Sequence, residues 1–200
     1  MTRRRETLAE GRARRGAVDD PATVLDAAGR LLEARPRAVA EVRRRLVDAG
    51  YGAKLVEGAI DRLADLGMLD DAAFARAWIE SRDRARPRGA GALRDELRRM
   101  GVAAEDVEAA LAARERAAKG GDPDDPSLAD AGERASSQAS DEDAAGRLLV
   151  RRGGAVLREP DPRKRRAKAY ALLARNGFDP DVAGRVAAAW LAGVEPDPAD

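Results

Sequence analysis

The chain has 200 residues, of which 44% are hydrophobic and 36% charged, and its formal net charge is +1. It contains no cysteine and no histidine. That excludes disulfides, thiolate metal sites and cysteine nucleophiles, and removes the commonest general base and metal ligand.

Residues 1–18, rich in Arg with Gly11 and Gly16, predict a disordered basic arm. No apolar stretch follows the arm's charges, so it does not read as a secretory signal. No apolar run approaches the ~18 residues of a membrane span. The expected location is cytoplasmic, with no membrane partner. Asp20-Pro21 opens the first helix, Asp as N-cap and Pro at the first helical position, and Leu25, Leu31 and Leu32 carry it to about Ala34. The next helices are expected over 37–49, closed by Gly50, and 53–66, ending at Gly67. Asp70 or Asp71 caps a fourth helix that points Phe74, Trp78 and Ile79 inward. Two more follow over 88–100 and about 103–117, around Gly101.

Residues 119–140 are acidic, rich in Gly, Pro and Ser, and predict a flexible linker. Helix returns over about 141–152. Asp161-Pro162 opens another helix that closes at Gly177, and Asp179-Pro180 opens the last, over 180–192. Residues 194–200 are expected to be a disordered tail.

About nine helices are therefore expected, and they repeat. Leu46, Leu97 and Leu173 each lie four residues before a glycine: Gly50, Gly101 and Gly177. Tyr51, Val102 and Phe178 follow directly, and Val56, Val107 and Ala183 lie six after. Pro36, Pro87 and Pro162 lie fourteen or fifteen before. The first helix of each unit carries a bulky pair: Leu31-Leu32, Trp78-Ile79 or Leu148-Leu149. The expectation is an all-α, elongated array of three tandem three-helix repeats, over 19–67, 68–118 and 141–193, each too small to bury much alone.

No phosphate loop, metal-ligand spacing or nucleophilic set is present, so neither enzyme activity nor a cofactor is expected. Asp70-Asp71 can be read as a metal or acid/base pair, or as helix caps, and its place at a helix start favours caps. The aromatics Tyr51, Phe74, Trp78, Tyr170, Phe178 and Trp190 fall on apolar stripes or in turns. A core role is favoured over a stacking platform for bases.

Charge is uneven. Residues 121–145 hold eight acids against Arg134 alone, which leaves the rest basic. Cations gather where second helices begin, although positive charge there opposes the helix macrodipole. Backbone N–H groups with guanidinium forks bind anions, either phosphate or a partner's carboxylates. The candidate partner-binding residues are Arg35, Arg37, Arg43 and Arg44, then Arg86, Arg88, Arg94, Arg98 and Arg99, then Arg163, Lys164, Arg165 and Lys168. A solvated basic face is the alternative.

The stretches "RPRAVAEVRRRLVDAGY" (35–51), "LADLGMLDDAAFARAWIESR" (63–82), "RPRGAGALRDELRRMGV" (86–102) and "DPRKRRAKAYALLARNGFDPDVAGRVAAAW" (161–190) resemble the RecX family of RecA regulators. That resemblance implies tandem three-helix repeats and a cytoplasmic, non-enzymatic regulator of DNA repair, recombination and the SOS response; a monomer is expected. It implies binding to the RecA–DNA nucleoprotein filament, and inhibition of RecA ATP hydrolysis and strand exchange. Direct contact with single- or double-stranded DNA is also implied. Two departures stand out: Ala38 lacks the hydroxyl of a capping box with Glu41, and 119–140 resembles an insertion. A second reading is a helix-turn-helix transcriptional regulator that reads duplex DNA with helix 53–66.

Overall fold

The computed structural model describes residues 7–118 and 133–194, with backbone alone for 133–140. All regular elements among them are helices: α1 Leu8–Gly16, α2 Pro21–Ala34, α3 Val39–Ala49, α4 Ala53–Asp65, α5 Asp71–Ala85, α6 Ala90–Arg99, α7 Ala104–Ala118, α8 Glu133–Arg152, α9 Gly154–Leu157, α10 Pro162–Ala174 and α11 Pro180–Ala192. They form two compact units. Among the described residues, one comprises 7–74 with Arg99–Ala103, the other Ala75–Arg98 with 104–118 and 133–194.

The repeat register read from sequence is the register of burial. Val42, Leu93 and Ala169, eight before the glycine, are buried, as are Leu46, Leu97 and Leu173, four before it. Val56, Val107 and Ala183 are buried on the following helix, with Ile60, Leu111 and Ala187 one turn on. In the first unit these residues join Val24, Ala28, Ala59, Leu63 and Leu69 in one core. In the second, α8, α10 and α11 close around Leu148, Leu149, Leu173, Phe178 and Val182. Each large side chain so buried contributes about 1.5–3 kcal/mol. Gly50, Gly101 and Gly177 end their helices with φ of 108°, 87° and 80°, a region costly for any residue with a Cβ.

Three elements differ from the sequence expectation. Residues 8–16 of the expected disordered arm form α1. A capping box holds its start, with the Glu10 N–H donating to Thr7 Oγ1 and the Thr7 N–H to Glu10 Oε2. Arg14 and Arg15 sit in its last turn, where the macrodipole favours them. The helix expected from 141 begins at Glu133, so the linker's last residues are helical. The rest of the linker, 119–132, lies outside the described residues, as do 1–6 of the arm and 195–200 of the tail. The short α9 is the third difference, anchored by buried Val156.

Successive repeats meet at a recurring joint. Within the first unit, a Cβ on Gly101 would lie 2.4 Å from Ala40 Cβ, so the turn of the next repeat rests on the start of α3. Within the second, a Cβ on Gly177 would lie 2.4 Å from Ala92 Cβ, and the Gly89 N–H donates to Asn176 O at 3.0 Å. Both turns thus require glycine for φ and for space. The same joint supplies a cap. Ala38 makes no side-chain cap, and the Val39 N–H donates instead to Asp71 Oδ1 at 2.9 Å. The Ala90 N–H donates to both oxygens of Asp141, at 3.0 and 3.2 Å. Asp71 and Asp141 are equivalent, each seven residues before the bulky pair of its helix. The first helices of the second and third repeats therefore each cap the second helix of the repeat before.

At Gly50 the neighbour is α1 rather than a three-helix repeat: a Cβ on Gly50 would lie 2.6 Å from Arg12 Cγ, and Arg15 Nε donates to Ala49 O at 2.6 Å.

Candidate functional site

Arg37, directly after Pro36, explains itself through the helix before it. Arg37 is nearly buried, and its Nε donates to Leu31 O at 2.7 Å, one of the four carbonyls left open at the end of α2. Arg151 does the same for α5, donating to Arg84 O and Ala85 O at 2.8 and 3.3 Å. At Arg37, positive charge that opposes the dipole of α3 thus complements the C-terminal end of α2.

Most of the predicted cations in the first two repeats are also neutralised. Arg35, Arg37 and Arg45 converge on Glu41, with Arg35 and Arg45 bonds of 2.7 and 2.9 Å. Burial alone would raise the Glu41 pKa; hydrogen bonds from Arg45, Arg35 and Arg37 outweigh it and hold the carboxyl below its ordinary range. Arg43 forks onto Glu57 at 2.8 and 2.9 Å, and Arg94 onto Glu108 at 2.6 and 2.8 Å. Arg98 lies 3.7 Å from Glu108. Arg88 donates to Asn176 Oδ1 at 3.1 Å and lies 3.6 Å from Glu96. Arg44 and Arg86 are exposed and form no ion pair among the described residues. Arg99 is exposed as well.

The third repeat differs. Arg165 Nε turns back to Glu159 O at 2.9 Å, and Lys168 pairs with Glu159. Arg163 and Lys164, with Arg166 beside them, are exposed and have no ion pair among the described residues. The Asp161 carboxylate caps the helix, accepting from the backbone N–H groups of Arg163 and Lys164. α10 therefore presents three cations to solvent along its first two turns. Most of the thirteen predicted residues are tied by ion pairs or hydrogen bonds, and α10 carries a group of three exposed cations without ion pairs among the described residues.

The carboxylates that neutralise the first two repeats escape a search for basic clusters. The available signal is that Arg43–Glu57 and Arg94–Glu108 share a spacing of fourteen residues across the glycine turn. Asp70-Asp71 resolves into two caps. Asp70 accepts from the Ala73 N–H of its own helix, and Asp71 accepts from Val39. The helix that a duplex reader would use, α4, exposes Glu57, Asp61 and Asp65 against Lys54 and Arg62, a poor surface for a major groove.

A model of the first three-helix domain of RecX matches residues 25–63, and one of the second matches residues 70–111. A regulatory protein RecX from Thermobifida fusca is 32% identical over 170 residues, covering 84% of this chain and 80% of that one. The chain belongs to the RecX family. A RecX from Mycobacteroides abscessus is 46% identical over 83 residues, but that match spans only 41% of the relative's length. Crystal structures of regulatory protein RecX and of RecX from Lactobacillus salivarius share the fold, with TM-scores of 0.64 and 0.68 at 18% and 17% identity. The first match covers 93% of this chain and 80% of the other, and the second 87% and 98%. The two family models cover the first two repeats. The exposed, unpaired cations of α10 lie in the third repeat, outside both. No helix among the described residues is long and apolar enough to cross a membrane.

Proposed function

We propose that this RecX-family protein is a non-enzymatic cytoplasmic regulator that binds the RecA–DNA filament and restrains RecA ATP hydrolysis and strand exchange in DNA repair. The observation that carries this reading is the free charge of α10. Arg163, Lys164 and Arg166 are exposed without carboxylate partners, whereas the arginines of the first two repeats are largely tied to Glu41, Glu57, Glu96 and Glu108. A filament offers phosphates and acidic side chains, and unpaired guanidinium groups bind either. Arg86 and Arg44 are secondary contacts on the same argument.

The test is RecA-dependent ATP hydrolysis on single-stranded DNA with this protein titrated in. Hydrolysis is expected to fall at equimolar or lower protein. Replacing Arg163, Lys164 and Arg166 together by Ala is expected to shift the titration to higher protein. Full hydrolysis at equimolar wild-type protein removes the reading.

A further inference from the structure

The first two repeats share a cross-turn ion pair whose two positions carry other residues in the third. Seven residues before the glycine stand Arg43, Arg94 and Tyr170. Seven after it stand Glu57, Glu108 and Gly184. In the first two repeats these positions form the forked ion pair that ties the second helix to the third. In the third repeat the pair is gone. Tyr170 remains 38% exposed, whereas the other five aromatics are buried or half-buried. A Cβ on Gly184 would meet nothing within 4 Å, so the register counterpart of Glu57 and Glu108 on α11 is open space.

The ring has cationic neighbours on its own helix. Arg166 lies four residues before Tyr170 and Arg163 seven before, so both share its face. Both are exposed and unpaired among the described residues. Asp181, in the first turn, is the only carboxylate that α11 carries. Trp78 makes the contrast. Its indole N–H donates to Glu96 at 3.0 Å, and Arg82 stacks 4.3 Å above its ring, so its polar edge and one face are already engaged.

We infer that the α10–α11 face binds single-stranded nucleic acid, with one base stacked on Tyr170, the open position at Gly184 leaving room for it, and the adjoining phosphates held by Arg163 and Arg166. This rests on the reading of α10 as the face that meets the anionic partner. An acidic protein surface would use the cations but has no need of an exposed ring or of an open position at Gly184. A flipped or unstacked base uses both, because every base has a face to stack. Duplex DNA hides those faces, so the site discriminates for single strands.

The experiment uses the full chain and two labelled strands, each about twenty nucleotides long to exceed the usual footprint of such sites: an oligothymidylate and an abasic strand of equal length. Fluorescence anisotropy reads affinity. Tyr170→Ala is expected to weaken oligothymidylate binding by about 5-fold or more and to leave the abasic strand unchanged. Tyr170→Phe keeps the stack and binds as wild type. Tyr170→Arg with Gly184→Glu rebuilds the ion pair of the other repeats, so it should fold well and lose the preference for bases. Arg163→Ala with Arg166→Ala weakens both strands and flattens their salt dependence. The inference is overturned if the wild type binds neither strand, if Tyr170→Ala binds oligothymidylate normally, or if it weakens both strands equally. Restraint of RecA hydrolysis that survives Tyr170→Ala but fails with the cation variants would assign α10 to an acidic protein surface. That result rejects the stacking site and leaves the filament reading standing.

Discussion

Asp70 and Asp71 are adjacent, chemically identical and employed in different places. Asp70 caps the helix it begins, and Asp71 reaches back 32 residues to the Val39 N–H. A lost N-cap costs typically ~1 kcal/mol. Asp71→Ala is therefore expected to lower unfolding stability by about 1 kcal/mol and to speed hydrogen exchange at the Val39 amide. Asp70→Ala should cost a similar amount while leaving that amide protected. Equal protection of Val39 in both variants would show that Asp71 caps nothing outside its own helix. The sharing accounts for Ala38: a hydroxyl is dispensable where the next repeat provides the acceptor. Asp141 repeats the device with a heavier set of partners. It is buried, and it also accepts from Arg114 at 2.7 Å, whose fork grips Asp83. Burial pushes the Asp141 carboxyl above its ordinary pKa, against the pull of the Ala90 N–H and the Arg114 guanidinium.

At the scale of elements, the glycine turns separate two effects that usually come together. Gly67 and Gly101 both have positive φ, 67° and 87°. A Cβ on Gly67 would meet nothing within 4 Å, whereas one on Gly101 would overlap Ala40. Gly67→Ala is expected to cost only the conformational strain, about 1 kcal/mol. Gly101→Ala adds overpacking, and the loss should exceed that of Gly67→Ala by at least ~1 kcal/mol in denaturant unfolding. Equal losses would mean that the joint yields freely. The elements themselves were legible because their signals are local. Leucine four before glycine, Asp-Pro at helix starts and the 3.6-residue stripe all lie within one or two turns. What escaped was carried by distance or by size. The joints link Asp71 to Val39 and Gly101 to Ala40, pairs far apart in sequence. α1 was hidden because its only buried residue is Gly11, so no apolar stripe announces it, although Thr7 and Glu10 had the spacing of a capping box. Basic clusters were legible as clusters. Their neutralisation was not, because each partner carboxylate lies on another helix or across a turn.

For the molecule as a whole, the net charge of +1 says little about what a partner meets. Fixed ion pairs remove charge from the surface without changing the total, and a polyanion responds to the charges left free. On this view the salt dependence of binding to single-stranded DNA belongs to the third repeat. Each phosphate contact adds about 0.7 to the slope of log K against log salt on a single strand. Replacing Arg163, Lys164 and Arg166 by Ala should therefore lower the slope by about 2. Arg43→Ala with Arg94→Ala removes almost as much formal charge, but it takes cations already held by Glu57 and Glu108. That variant should keep the wild-type slope and lose only the modest stability of two exposed ion pairs, about 0.2–1 kcal/mol each. The comparison isolates placement from quantity, since both variants leave the acidic stretch of 121–145 unchanged. A slope that drops equally in the two variants would mean that the ion pairs open on binding and that the whole basic surface acts together.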